Sequence, residues 1–136
     1  MSITLSAAIR NARLDAIETV VGTAPILRIR SGAPPATVAT ASSGTVLAAA
    51  TLPSDWMAAA SAGAKAMSGS WADSSADATG TAAHFELVAS DGTTVAMRGT
   101  VTATGGGGDM TVDSTSFTAG QAFSVTSFTL TDGNAT

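Results

Sequence analysis

The spacing of the apolar residues changes at Pro25, and this change constrains the fold more than any other feature of the sequence. Before Pro25, apolar side chains in residues 6–21 recur at the spacing of one helix face. After it the pattern alternates, as in residues 27–30, where apolar side chains face one way and arginines the other. The sequence therefore predicts one short N-terminal α-helix followed by β-strands.

The predicted helix has clear ends. The Ser6 hydroxyl can accept a hydrogen bond from the first turn, Gly22 suits the position after the last turn, and Pro25 prevents continuation. An isolated helix of this length is only marginally stable in water. We therefore expect its apolar face to be buried, either against the protein's own sheet or against a neighbouring subunit. That face consists of Ile9, Ala12, Ala16, Ile17 and Val20.

Short runs with alternating side chains follow along the rest of the chain, separated by polar turns. The strongest turn signal is Ser90-Asp91-Gly92, because Asp-Gly suits the positive-φ geometry of tight hairpins. Residues 56–60 are predicted as either one helical turn or a loop anchored by Trp56. The candidate strands are residues 27–30, 45–52, 64–71, 84–89, 93–102, 110–112 and 122–131.

The last candidate strand changes face partway along its length. Phe123 and Val125 are odd-numbered, whereas Phe128 and Leu130 are even-numbered. Because successive side chains of a strand point to opposite faces, this one-residue slip predicts a β-bulge or a switch between sheets near residues 126–127.

About seven or eight short strands, with polar turns roughly every 8–12 residues, are typical of a β-sandwich or jelly roll. We therefore predict an all-β fold of antiparallel strands with one short N-terminal helix. Residues 1–22 would form the helical segment, and residues 23–136 a single β-sandwich domain.

Small side chains limit how much core such a fold can have. Ala, Thr, Ser and Gly account for 80 of the 136 residues, and aromatic residues for only 4%. Cysteine is absent, which excludes disulfides and cysteine-based zinc sites. Oligomerisation or docking is the remaining general source of stability, and no cofactor is expected.

Charge and hydropathy argue against several classes of partner. Six Lys and Arg stand against ten Asp and Glu, for a net charge of −4, which does not suit a surface that follows phosphates. We therefore expect no nucleic-acid partner. The chain has no run of about 18 apolar residues and no basic N-terminal region followed by an apolar run. Neither a membrane span nor a secretory signal is predicted.

The sequence offers few candidates for catalysis. His84 is the single histidine and no Gly-x-Ser-x-Gly motif accompanies it, so we expect an exposed strand histidine beside Glu86. Two pairs of carboxylates four residues apart lack the calcium-loop pattern and are predicted to be solvated turn residues. These pairs are Asp73 with Asp77 and Asp109 with Asp113. We predict no catalytic, cofactor-binding or metal-binding residue and no enzymatic activity.

Three further motifs have a structural and a functional interpretation. The glycines at residues 105–108 lack the Lys-Ser/Thr of a phosphate-binding loop, so a flexible hairpin tip is expected. Arg28 and Arg30 form a basic stripe, expected on a solvated sheet face, with acidic groups of a partner as the alternative. Trp56 and Trp71 are expected to anchor the core, with a carbohydrate platform as the alternative.

Several fold motifs, covering most of the chain, resemble small structural proteins of tailed bacteriophages. They occur in the order of the N-terminal helix, the strand that begins at Leu27, and the later hairpins. The stretches concerned are SADATGTA at residues 75–82, FEL at residues 85–87, SDG at residues 90–92, FTAGQ at residues 117–121 and VTSFTL at residues 125–130.

This resemblance implies a virion structural protein, in the first instance a capsid cement or decoration protein on the capsid exterior. Its partners would be the major capsid protein and further copies of itself, as a homodimer or trimer. The alternative is a tail, baseplate or fibre-associated protein involved in host attachment, with Trp56 or Trp71 exposed. A small hydrolase that uses His84 is the third hypothesis, from another class.

Overall fold

A curled, mixed β-sheet forms a half-barrel, and one helix packs beside it. The computed structural model describes residues 3–132, so Met1, Ser2 and residues 133–136 of the two predicted segments lie outside the described residues. Within residues 3–132 there are one α-helix and nine strands. The predicted β-rich fold with one short helix is confirmed at this level.

Helix α1 (Ala7–Val21) begins and ends where the sequence predicts. The Ser6 hydroxyl accepts a hydrogen bond from the backbone N–H of Ile9 at 3.4 Å, as an N-cap does. Gly22 adopts a φ of +93° and its N–H donates to the carbonyl oxygen of Glu18. Glycine tolerates this positive φ, so the helix stops there.

The strands are mostly short. They are β1 (Ile26–Ser31), β2 (Val46–Thr51), β3 (Ala64–Ala66), β4 (Ala72–Asp73), β5 (Gly80–Val88), β6 (Val95–Ala103), β7 (Met110–Val112), β8 (Ser116–Phe117) and β9 (Phe123–Thr131). The Asp91-Gly92 turn joins β5 to β6 as predicted. Its Asp91 carboxylate accepts hydrogen bonds from Thr94 and Thr93, which lowers the pKa of Asp91 to about 2.

The prediction of one strand over residues 64–71 is wrong. After β3 the chain leaves the sheet, and Gly69 takes a φ of +72° that turns the backbone. Trp71 thereby enters the core with 1% exposure. The preceding residues 56–60 contain no helical turn, and a loop anchored by Trp56 is the correct alternative.

The strand order along the sheet is β2-β1-β5-β6-β7-β9-β3, with β4 paired to β9 and β8 paired to β5. The β6–β7 pair is parallel, with Val101 beside Met110, whereas the other named pairs are antiparallel. The expectation of antiparallel strands alone therefore fails at this pair.

A glycine-rich loop makes the parallel pair possible. A parallel connection ordinarily needs a dozen or more residues, yet β6 and β7 are joined by residues 104–109 alone. Gly106 and Gly108 lie so close to Thr102 that an added Cβ would come within 2.7 and 2.9 Å of its side chain. The predicted hairpin tip is therefore wrong, because the loop doubles back against its own strand.

The slip predicted in the last strand is a β-bulge. The register of β9 against β7 shifts so that Thr126 has no residue opposite it. Because of this extra residue, both Val125 and Phe128 are buried although their positions differ in parity.

The core lies inside the curl of the sheet and is built around a chain of aromatic rings. Ring centroids are 5.9 Å apart for Trp56 and Trp71, 5.4 Å for Trp71 and Phe128, and 5.5 Å for Phe128 and Phe85. Trp56 and Trp71 are 0% and 1% exposed, so their predicted role as core anchors is confirmed. Phe85 on β5 and Phe128 on β9 join distant parts of the sheet.

The tight β6–β7 loop yields a prediction. Replacing Gly106 by Ala should lower the free energy of unfolding by about 1–3 kcal/mol, because the added methyl group overlaps Thr102. Urea denaturation would measure the loss. Ala119→Ser, at an exposed turn position, is the control and should change stability by less than about 0.5 kcal/mol. Equal effects of the two substitutions would contradict the close packing.

Candidate functional site

The outward face of α1 is apolar. Val20 is 85% exposed and Ile9 49% exposed, and Ala12 and Ala16 lie exposed between them. Only Ile17 of the predicted apolar face is partly buried. Burial of this face against the protein's own sheet, one of the two alternatives from the sequence, is therefore wrong. We call these four exposed residues the helix face.

The opposite side of α1 is largely polar and holds the helix to the chain around β3. The Asn11 side-chain oxygen accepts a hydrogen bond from the Gly63 N–H at 2.9 Å. The Asp15 carboxylate accepts one from the Ala60 N–H at 3.0 Å. Leu14 and Val21 are the buried apolar residues of the helix. Hydrogen bonds thus hold the polar side of the helix against the chain around β3, and the apolar side faces outward.

Lys65 on β3 is the centre of this attachment. It is 2% exposed, and its Nζ lies 2.7 Å from an Asp15 oxygen and 2.8 Å from a Glu18 oxygen. Nζ also donates to the Ala58 carbonyl oxygen at 2.9 Å. All three donor positions of the ammonium group are used, so a buried positive charge is compensated.

The ion pairs shift the pKa values of their members. Burial opposes the charge on Lys65, but the hydrogen bonds and charges of Asp15 and Glu18 outweigh it and raise the Lys65 pKa. The hydrogen bond from Lys65 lowers the Asp15 pKa. Lys65 and Asp15 are therefore both charged at neutral pH, and the ion pair that attaches α1 is intact. It weakens as the pH rises beyond about 10.4, where a free lysine loses its proton, or falls below about 3.9, where a free aspartate gains one.

A groove runs between α1 and β6 next to the helix face. Its volume is about 430 Å³. Its apolar lining includes Ile17, Val20, Val21, Ala96 and Met97. Because Val20 belongs to both, the groove and the helix face form one continuous apolar surface.

A second polar cluster lies on the outer side of β5. Glu86 is fully buried, with Arg30 Nε at 3.1 Å and Arg98 Nη2 at 3.0 Å from its carboxylate oxygens. Burial favours the protonated acid, but hydrogen bonds from Ser42 and Arg98 and the two arginine charges outweigh it and lower the Glu86 pKa. Arg28 donates instead to the Gly92 carbonyl oxygen at 3.1 Å. The predicted solvated basic stripe is therefore wrong, because both arginines bind groups within the chain.

His84 is buried, contrary to its predicted exposure on the strand. It is 0% exposed because residues 32–44 cross over this side of β5. Its Nδ1 lies 2.7 Å from the Gly32 carbonyl oxygen, and its Nε2 is buried without a hydrogen-bond partner. Neither nitrogen contacts a serine hydroxyl or a carboxylate, which a catalytic triad would require.

Three of the four aspartates considered for calcium bind backbone N–H groups. Asp73 accepts a hydrogen bond from the Ser75 N–H, as a turn-stabilising residue does. Asp109 and Asp113 accept from Thr100 and Ser124 of other strands, and Asp77 is exposed. Within residues 3–132 no three acidic or histidine side chains are grouped to hold a metal ion.

Sequence reasoning identified the residues of the helix face but not their exposure, and it missed Lys65 altogether. A signal was present: Lys65 is the single lysine of the chain, and Asp15 and Glu18 lie three residues apart on the helix. Residues at this spacing share one side of a helix. Nothing local in the sequence joins them to residue 65.

Comparisons with known proteins gave no match among protein-family models, curated proteins or solved structures. In the part of the chain that the structure describes, no helix is both long and apolar enough to span a membrane.

The attachment of α1 can be tested at Lys65. Replacing it by Met should lower the free energy of unfolding by about 1–3 kcal/mol, because two carboxylates and a carbonyl lose their shared donor. Arg13→Met is the matched control. Arg13 is 55% exposed at the side chain and pairs with Asp132, so its removal should cost less than about 1 kcal/mol. Urea denaturation that gives equal losses would contradict the role of Lys65.

Proposed function

We propose that this protein acts by association, as a structural subunit of a larger assembly, and has no enzymatic activity. The observation that carries the proposal is the exposed helix face, where Val20 is 85% exposed. Transfer of a Val or Ile side chain from water into an interface contributes about 1.5–3 kcal/mol. Ile9 and Val20, together with the adjoining groove, therefore provide a driving force for docking.

The proposed assembly is the virion of a tailed bacteriophage, on the basis of the sequence resemblance. We propose a cement or decoration protein on the capsid exterior, bound to the major capsid protein and to further copies of itself. The contact surface would be the helix face. This corresponds to the second alternative from the sequence, in which the helix docks on a neighbouring subunit.

The mechanism follows from mass action. A protein that binds only the assembled lattice stabilises it by RT ln(1 + [L]/Kd) at each site. Many equivalent sites multiply a modest stabilisation per site over the whole shell. A small contact area on each copy is therefore sufficient for a cement protein.

The arrangement of charge supports a protein partner and not a nucleic acid. All six Lys and Arg residues lie within residues 3–132, and each binds an acceptor in the same chain. Recognition of nucleic acid depends on cations available to phosphates. The alternative role, host attachment by a tail protein, was expected to use an exposed Trp56 or Trp71. Both side chains are buried, so this observation does not favour the alternative.

We also propose that the curled sheet corresponds to the β-sandwich predicted from the sequence. One layer would hold β2, β1, β5 and β6, and the other β7, β9, β3 and β4. The contact between Phe85 and Phe128, with ring centroids 5.5 Å apart, supports this interpretation because it joins the two proposed layers through the core.

A substitution on the helix face tests the proposed contact surface. Val20→Asp should reduce binding to capsids lacking this protein by roughly tenfold or more, since it places a charge where apolar surface is buried. Co-sedimentation with the particles measures binding, and circular dichroism checks folding. Val38→Asp is the matched control, because Val38 is 48% exposed and lies away from the helix. Unchanged binding of Val20→Asp would exclude the helix face.

The place in the virion is tested by mass spectrometry of purified particles. A cement protein should be present at a copy number comparable with that of the major capsid protein. A handful of copies for each particle would overturn the cement assignment and favour the tail. Absence from the particles would overturn the virion proposal.

A further inference from the structure

The strand between β6 and β9 is much shorter than its two neighbours. β7 has three residues, whereas β6 and β9 have nine each. β7 pairs with β6 only from Val101 onward and with β9 only as far as Phe128. Because β7 is parallel to β6 and antiparallel to β9, the two uncovered stretches lie beyond the same end of β7. We call the space between residues 96–100 of β6 and residues 128–131 of β9 the slot.

The slot has the width of one strand. Neighbouring strands lie about 4.7–4.9 Å apart, so two strands that flank a third are roughly 9.5 Å apart. β6 and β9 flank β7 at one end of the slot, and both line an open cavity of about 550 Å³ beyond that end. At the end next to β7, the Asp109 carboxylate accepts a hydrogen bond from the Thr100 N–H at 2.9 Å. One extended segment therefore fits between the two strands as a continuation of β7.

Both walls of the slot offer unpaired backbone groups. In an antiparallel pair, the N–H and C=O of one residue point to the same side, and those of the next residue point to the other. The Thr100 N–H points into the slot, so the backbone groups of Arg98 do as well. The Phe128 carbonyl oxygen accepts a hydrogen bond from the chain that follows β3, so the backbone groups of Thr129 and Thr131 face the slot. In the described part of the chain, the slot-facing groups of Arg98, Thr129 and Thr131 have no hydrogen-bond partner.

The slot also has an apolar lining on the side of the core. Phe85 and Phe128, which are 2% and 3% exposed, line it together with Ile17 of α1. Thr129 and Thr131 are exposed, so the slot is open to solvent. Side chains of a strand alternate between its two faces. A segment in the slot would therefore place every second side chain against the aromatic rings, and apolar residues at alternate positions suit it.

The slot adjoins the surface that we propose as the contact with a partner. Ile17, Ala96 and Met97 line both the slot and the groove beside the helix face. A partner that covers the helix face therefore lies next to the opening of the slot. A second copy of this chain is a poorer source of the segment, because within residues 3–132 each strand is already paired in its own sheet.

We propose that the slot receives one extended segment of the major capsid protein, with apolar side chains at alternate positions. This inference rests on the proposed function, which supplies the partner. The segment runs parallel to β6 and antiparallel to β9, and it exchanges backbone hydrogen bonds with both. Such main-chain hydrogen bonds supply affinity, while the contacts of alternate side chains select the sequence.

A synthetic peptide tests the slot without the capsid. The probe is Thr-Val-Thr-Val-Thr with blocked ends, titrated into the full-length chain and followed by nuclear magnetic resonance. The amide signals of Arg98, Thr129 and Thr131 should shift saturably at about 1 mM peptide, and their hydrogen exchange should slow. The same peptide methylated on alternate backbone nitrogens should bind at least roughly tenfold more weakly, because it cannot donate to one wall. Absence of saturable shifts, or equal binding of the two peptides, would overturn the slot.

Thr129→Pro is the matching variant of the protein, and Thr129→Val is its control. Proline removes the N–H that faces the slot, and the pairing of β9 with β3 does not use that N–H. Thr129→Pro should lose roughly tenfold or more in peptide affinity, while Thr129→Val, which keeps the N–H, should bind like the wild type. Equal affinities of the two variants would contradict pairing with β9. If Thr129→Pro does not fold, the two peptides decide, both by direct binding and as competitors of capsid binding.

Co-sedimentation with capsids lacking this protein tests the source of the segment. Thr129→Pro should bind these capsids at least roughly tenfold more weakly than Thr129→Val. Equal capsid binding of the two variants would overturn the capsid protein as the source and leave the proposed function intact, whereas a wild-type chain that binds no capsids would overturn both. Self-association of the wild type that Thr129→Pro abolishes, measured by analytical ultracentrifugation, would overturn the capsid source in favour of a second copy.

Discussion

Ion pairs buried between elements hold this fold in register, because bulky side chains are scarce. Glu86 binds two arginines from neighbouring strands, and Lys65 binds two carboxylates of the helix. The net stabilisation from such pairs is modest, since burial of each charge opposes it. Loss of one member, however, leaves the other without compensation. The pairs therefore determine which surfaces can meet, while the aromatic chain around Trp71 and Phe128 supplies the apolar burial.

The orientation of α1 follows from the same constraint. Asn11, Asp15 and Glu18 find their partners in the chain around β3, and a helix that turns these residues inward must turn the opposite side out. The exposed Val20 is thus a consequence of polar docking and not a defect of packing. A partner that covers the helix face would bury the apolar surface that the isolated chain leaves exposed. This links the architecture to the proposed role in an assembly.

Local features of the fold were predictable from the sequence, and long-range ones were not. The ends of α1, the Asp91-Gly92 turn and the bulge at Thr126 each depend on a few neighbouring residues, so their patterns are readable. The contact of Arg98 with Thr37 spans 61 residues, and no periodic pattern in the sequence indicates it. The exposure predicted for His84 is wrong for the same reason, because its contact with Gly32 spans 52 residues. The parallel β6–β7 pair is local, and the prediction missed it because so short a parallel connection is unusual. In the candidate site, the residues of the helix face were identified, but their exposure depends on Lys65.

The burial of Lys65 has a practical consequence for mapping the neighbours of this protein. Reagents that join proteins through lysine amines need an accessible side chain, and the single lysine is 2% exposed and engaged with two carboxylates. Amine-directed cross-linking would therefore report few lysine contacts, however closely the neighbours of this protein pack against it. Carboxylate-directed reagents, which can reach exposed groups such as Asp55 and Asp77, suit this molecule better.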